Sequence, residues 1–249
     1  MNLPVNDLTG SGSQDHGEPR NPAPPRLSKT SIAGFEQCAK KLWLKIHRPE
    51  AARYDPATLQ LFASGHLVGE LARKAYPSGI MVEEDHHQLL AAIATTRRLM
   101  DRAKPQPIFE AAFHHANVVV RADILEPAGP GAWRLTEVKN SGRVRPAFVS
   151  DLATQAWVLA GAGVSLSGVY LRHPVEPLRP WRRQHAVRFV DVDLGAEVRS
   201  LIGQKAEIVR SASEIAAGAM PDIVTGLHCS APYRCEFREF CRSSRPNSA

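Results

Sequence analysis

The sequence predicts an α/β fold in which a mixed β-sheet is flanked by helices, with helices at the N-terminal side and a cysteine-rich segment at the C-terminal side. Three observations carry that expectation. Apolar residues recur at helical spacing through the first third of the chain, and runs rich in β-branched and aromatic residues replace them between Ile108 and Val138. A helix and a further strand then complete the order β-β-β-α-β.

Residues 1–27 are rich in Gly, Ser, Asn, Asp and Pro and have the composition of a disordered tail, as do residues 242–249. The folded unit is expected over 28–241. Ser28 reads as the N-cap of a helix running to about Ile46, carrying Ile32, Phe35, Leu42 and Ile46 at helical spacing, with Cys38 inside it. A second helix is expected after Pro56, with Leu59, Phe62, His66, Gly69 and Arg73 along one side, and a third from about Asp85 to Arg102. Strands follow at Ile108–Phe113, Val118–Leu125 and Trp133–Val138, the last two joined by a PAGPGA loop. A helix at about Ser150–Ala160 ends at Gly161 and Gly163 and leads to a strand at Gly168–Leu171; Val187–Val190 reads as another. Leu194 to Ala217 keeps a helical period throughout.

At 249 residues the chain can bury one sizeable core, and 43% hydrophobic with 22% charged residues is an ordinary globular balance. Lys and Arg outnumber Asp and Glu 31 to 25, for a net charge of +6, which favours a polyanionic partner. Met1 to Pro25 holds no apolar core of a signal peptide, and the uncharged stretch Ala156–Leu171 is short and interrupted by three glycines. A cytoplasmic protein without membrane contact is therefore expected. In that setting four cysteines point to metal or cluster ligation rather than disulfides. No G-x-x-x-x-G-K-[ST] occurs, so the chain has no helicase motor of its own.

The chemistry concentrates in RADILEPAGPGAWRLTEVKN. Strand side chains alternate faces, so Glu137 and Lys139 project from the same side. With the turn centred near Pro130, Asp123 lies opposite Glu137 and shares its face. Two carboxylates and one ammonium then converge. Carboxylate oxygens hold Mg²⁺ or Mn²⁺, and a neighbouring lysine orients an attacking water or offsets charge on a phosphorane. An E-x-K by itself is commonplace on solvated strand faces. Asp123 adds weight because it is embedded in the apolar run VVVRADIL, where an unpartnered carboxylate is costly.

These residues resemble the PD-(D/E)XK nuclease superfamily, and within it the RecB-like branch that includes CRISPR-associated exonucleases. The matching elements are the aspartate of RADIL, the E-x-K of TEVKN, the glutamine of the following helix in DLATQAW, and the upstream histidine in ASGHLVGELAR. The resemblance implies a restriction-endonuclease-like core. It also implies a divalent-metal-dependent DNA nuclease, an exonuclease on single strands or DNA ends, with metal held by His66, Asp123 and Glu137 and catalysis served by Lys139. Gln155 would order the site, with Asp151 one turn before it on the same helix face. Glu110 in PIFEAAF is a further candidate ligand. A helicase or a CRISPR, repair or defence protein is the implied partner, RNA is an alternative substrate, and a non-catalytic DNA-binding or assembly module is the alternative function.

Cys229, Cys235 and Cys241 are spaced C-x5-C-x5-C, far downstream of Cys38. One distant cysteine plus a C-terminal triplet resembles the 4Fe–4S staple of the same branch. Its commonest spacing, however, separates two of the triplet by only two residues. A structural Zn²⁺ on four thiolates satisfies the same count. Lys41, Trp43 and Lys45 near Cys38, and Arg182 with Arg183 in LRPWRRQH, are candidate nucleic-acid contacts, the lysines and arginines on phosphate and Trp43 on a base.

Overall fold

A computed structural model of the chain describes residues 25–179 and 187–243. Leu27–Ser28 form strand β1, so Leu27, at the end of the expected tail, belongs instead to the buried core. Residues 1–24 and 244–249 lie outside the described residues, as do Arg182 and Arg183.

Ser28 caps helix α1 (Lys29–Gln37), its hydroxyl accepting a bond from the Ser31 amide. The expected single helix to Ile46 is instead two. Cys38 is extended at φ −168° and ψ 123°, and α2 (Ala39–His47) starts anew beyond it. The break lets α1 pack on helix α5 (Pro146–Gly161) while α2 packs on helix α7 (Lys205–Ala217). Asp55 caps α3 (Pro56–Arg73) through the Thr58 amide, with Pro56 in the first turn where its missing N–H costs nothing. Helix α4 (Leu89–Met100) is shorter than Asp85–Arg102 because the Asp85 carboxylate takes the amides of His87 and Gln88 into a separate turn. The expected helix over Leu194–Ala217 divides at Gly203 and Gln204 into α6 (Gly195–Ile202) and α7, the first packed on α5. Residues 238–243 form the short α8 (Arg238–Ser243).

The remaining strands are β2 (Ile80–Met81), β3 (Ile108–His115), β4 (Val118–Pro127), β5 (Ala132–Val138), β6 (Ser165–Pro174) and β7 (Phe189–Asp193). Among the described residues they form one mixed seven-stranded sheet in the order β2-β3-β4-β5-β6-β7, with β1 paired to β4. The expected meander is present: β3–β4 and β4–β5 are antiparallel. A two-residue turn joins β3 to β4, with Ala116 and Asn117 both at positive φ, the geometry that matches the twist of a tight hairpin. The sequence HHANVV carries no glycine to announce it. The β5–α5–β6 crossover makes β6 parallel to β5.

One detail of the sheet places everything that follows. Strand β4 pairs with β1 at Val118 and Val119 and with β5 from Ile124 to Pro127, so its neighbour on that side changes near Asp123. The sheet forks there. Helix α5 covers the fork, burying Phe148, Leu152, Gln155, Ala156 and Leu159. A smaller cluster of Val68, Ala72, Phe109, Ile124, Val138 and Leu178 ties α3 to β3, β4 and β5.

Gly161 closes α5 where the ring of His115 packs on Trp157; a Cβ at this glycine would lie 2.2 Å from His115 Cγ. Gly161→Ala should therefore cost about 1–3 kcal/mol of stability by overpacking, read as a lower urea midpoint at unchanged m-value.

Candidate functional site

Extrapolated by one pair, the β4–β5 register that matches Ile124 with Thr136 and Leu125 with Leu135 sets Asp123 opposite Glu137. The expected alignment holds, but the two residues do not close the ladder. Asp123 Oδ2 instead accepts the Val138 amide at 2.7 Å, and its side chain stands at the point where the strands part. In β5, Trp133, Leu135 and Glu137 alternate onto the core side, and Glu137 is only 1% exposed.

A carboxylate so deeply placed needs donors. Lys29 Nζ, from the first residue of α1, bonds Oε1 at 2.8 Å and Oε2 at 2.9 Å. Lys139 Nζ lies 2.8 Å from Oε1, and Gln155 Nε2 donates to Oε2 at 2.9 Å. Lys139 also reaches Asp151 Oδ2 at 3.0 Å, so two successive turns of α5 hold the E-x-K from below. Gln155 and Asp151 thus stand where their helical spacing placed them. Lys29 is the residue sequence reasoning missed.

The electrostatics follow from burial and sign. Burial favours neutral carboxyls throughout, yet at Glu137 the charges of Lys139 and Lys29 overcome it and hold the group well below the usual carboxylate range. Asp123 goes the other way. Burial, then the negative charge of Glu137, push it from 3.8 to about 7. Burial also raises Asp151 despite Lys139. At both lysines burial opposes the charge and is the largest single influence, but Glu137, Asp123 and Asp151 together outweigh it and raise them above the ordinary range. Lys139 is therefore a fixed ammonium rather than a base.

A cleft of about 1030 Å³ opens over this group. Besides Asp123, Glu137 and Lys139 it is lined by His66, Glu110, Arg73, Arg145, Asn140 and Tyr233. His66 is exposed on α3 and is no core histidine. Glu110, in β3, has φ 55°, a left-handed conformation that costs a non-glycine residue about 1–3 kcal/mol and that clusters at functional sites. Among the described residues neither the His66 side chain, the Glu110 side chain nor Asp123 Oδ1 has a hydrogen-bond partner. Leu61 and Phe62 form an exposed apolar lip of the cleft, Tyr54 standing edge-on to Phe62.

The nucleic-acid candidates near Cys38 do not line this cleft. Trp43 donates its indole N–H to the Gly218 carbonyl and stacks on His47. Lys41 pairs with Glu236, and Lys45 bonds the Thr30 hydroxyl. The four cysteines, by contrast, do come together. Cys38, Cys229, Cys235 and Cys241 line one small cavity, flanked by Lys40 and Lys41. Burial raises Cys235 to about 11 and raises Cys241 as well. Among the described residues no three His, Cys, Asp or Glu side chains, here or in the cleft, form a ready-made ligand group.

No family model and no curated protein matches the chain. Among solved structures it is similar to one described as "Crystal structure of SSO0001", at 13% identity and a TM-score of 0.40, over 93% of this chain and 90% of that one. No helix among the described residues is long and apolar enough to cross a membrane.

The shifted carboxyl gives a signed pH dependence. A raised Asp123 binds its proton in the folded state up to about 7 but releases it near 3.8 when unfolded, so its contribution is full in acid and lost as pH rises through 7. Asp123→Asn keeps an acceptor for Val138 and removes the charge. In EDTA it should flatten the fall in stability between pH 5 and 8 and gain roughly 1–3 kcal/mol at pH 8. Urea titrations at both pH values check this, and a variant that tracks the wild type would remove the assignment.

Proposed function

We propose that the chain is a divalent-metal-dependent DNA nuclease with a PD-(D/E)XK-type, RecB-like core, cutting single strands or DNA ends. The observation that carries the reading is the convergence of Asp123, Glu137 and Lys139 at a sheet fork, under a cleft that His66 and Glu110 also line. The donor set has the chemistry for Mg²⁺ or Mn²⁺: hard carboxylate oxygens and one imidazole, with Asp123 Oδ1 unpartnered and its carboxyl raised to about 7 by burial and then by the negative charge of Glu137, which a cation would offset. Asp123, Glu137 and His66 would hold the ion, with Glu110 beside them. When bound, it supplies Lewis-acid polarisation of a phosphodiester and an acidified water.

The chain's own residues do the rest. Lys139, fixed as an ammonium between Glu137 and Asp151, places positive charge where a phosphorane develops its negative charge. Gln155 holds Glu137 in one orientation from the core side. Arg73 and Arg145 on the cleft wall offer phosphate contacts outside the reacting centre, and the exposed Phe62 lip offers a face to an unstacked base. RNA, with the same backbone anion, is the alternative substrate class. A second reading, a non-catalytic DNA-binding or assembly module, is favoured by Glu137 having all its acceptor positions filled by protein donors.

The test is degradation of end-labelled single- and double-stranded DNA, with RNA alongside, in Mn²⁺, Mg²⁺ or EDTA. Metal-dependent cleavage is expected, lowered on the order of 10²–10³-fold in Glu137→Ala and in Lys139→Ala. Binding without cleavage in any metal would replace the enzyme by the module.

The four thiols that line one cavity supply the donor chemistry of a structural site of four thiolates, a 4Fe–4S cluster or, alternatively, Zn²⁺. Cys38, Cys229, Cys235 and Cys241 would hold it; the burial that raises two of the thiols means that loading releases protons, and Lys40 and Lys41 offset the charge left behind. Anaerobically purified protein should be coloured, with a broad visible absorption band, if the site holds iron–sulfur. Cys38→Ser should abolish that band and lower Tm; a colourless protein with one zinc per chain assigns the alternative.

A further inference from the structure

Glu137 accepts three hydrogen bonds and an ion pair from Lys139, two contacts at each oxygen, which is about the full capacity of a carboxylate. A cation bound by Glu137 must therefore displace a donor. The three donors differ in what leaving would cost them. Gln155 is 0% exposed, and moving its amide would strand a second buried polar atom beside an Oε1 that already has no partner. Lys139 is anchored twice, on Glu137 and on Asp151.

Lys29 is held differently. Its ammonium straddles both oxygens of Glu137, the place a chelated cation takes, and Glu137 is its sole hydrogen-bond partner among the described residues. It stands at the first position of α1 on an unbranched stem, and its side chain is 18% exposed, so a rotamer change carries the charge to solvent without moving backbone. A divalent ion at Glu137 would lie within a few ångströms of that ammonium, and Coulomb repulsion between them favours departure.

We propose that Lys29 is a tethered cation that holds Glu137 until the divalent ion arrives, so that metal binding at this site is an exchange of lysine for metal. The inference rests on the metal reading given above. It makes metal affinity the difference between two cationic partners of one carboxylate.

The experiment measures Mn²⁺ binding to the full chain by loss of the free-ion electron paramagnetic resonance signal. Lys29→Gln should bind Mn²⁺ about tenfold or more tighter than wild type, melt lower in EDTA, and show a larger Mn²⁺-induced rise in Tm. Lys29→Arg, which keeps the charge, should bind no tighter than wild type. Arg145→Gln removes a cleft charge that does not touch Glu137 and controls for bulk electrostatics; it should change affinity by less than about threefold. In the wild type, Lys29 should be methylated slowly by formaldehyde and borohydride in EDTA and several-fold faster in Mg²⁺, a readout that needs no variant to fold. Mn²⁺ binding to wild type with Lys29→Gln no tighter than Arg145→Gln, or a methylation rate unchanged by Mg²⁺, overturns the exchange and leaves the metal site standing. Absence of Mn²⁺ binding in both wild type and Lys29→Gln overturns the metal reading and the exchange together.

Discussion

Glu137 sits 1% exposed in the middle of a sheet, and an isolated charge in such a place would cost several kcal/mol. Three parts of the chain supply what that carboxylate requires: α1 contributes Lys29, the residue just past β5 is Lys139, and α5 contributes Gln155. Loss of any one leaves a buried charge short of a partner, so the local arrangement is tightly determined. The constraint propagates. Lys139 must reach back to Glu137 and so draws Asp151 with it, and α5 is thereby fixed in rotation on the sheet. Its register is independently locked by Leu152, Ala156 and Leu159 in the core, so packing and charge demand the same placement.

The fork in the sheet is the geometric side of the same constraint. Were β5 to continue along β4 past Ile124, Asp123 would lie under a ladder with no room for a third group. Because β1 takes over as neighbour at Val118 and Val119, a gap remains at Asp123, and the residue that follows β1 is Lys29. Asp123 satisfies the Val138 amide that the parting strands would otherwise orphan, and keeps its second oxygen for the cleft. Unlike Glu137, it has no lysine bonded to it, so burial and then the negative charge of Glu137 drive it upward while Glu137 is held low.

Much of this is legible in the sequence. Turn centre fixes register in a hairpin, so the Asp123–Glu137 alignment followed from the PAGPGA loop alone, and helical spacing put Asp151 and Gln155 on one face. The rest depended on contacts that leave no local mark. Cys38 breaks a helix in FEQCAKKL without glycine or proline, because α1 and α2 pack on different partners. Strands β1 and β2 are two residues each, too short for any period. Lys29 reaches Glu137 across 108 residues of sequence, and in LSKTS it is an ordinary lysine in the first turn of a helix. Positive φ at Glu110 was equally hidden, since strain at a glutamate shows only once its strand is paired.

The C-terminal segment shows a second way of tying distant parts together. It meets α1, α2 and the loop beyond them largely through polar groups: the Gln37 amide donates to the carbonyls of His228 and Tyr233, Lys41 pairs with Glu236, and the Arg53 backbone amide donates to the Glu236 carbonyl. Cys229 and Phe237 are the buried exceptions. A segment attached this way gains little from apolar burial, and bonds of this kind contribute only about 1 kcal/mol each. Four thiols gathered in one cavity at that junction are the feature that could add more, since a bound metal converts its binding energy into attachment. The attachment matters to the cleft directly. Gln37 lies on α1, the helix that begins with Lys29, and Tyr233, whose carbonyl Gln37 holds, lines the cleft wall. Anything that loosens the cysteine junction therefore acts on both the wall of the cleft and the helix that carries its lysine.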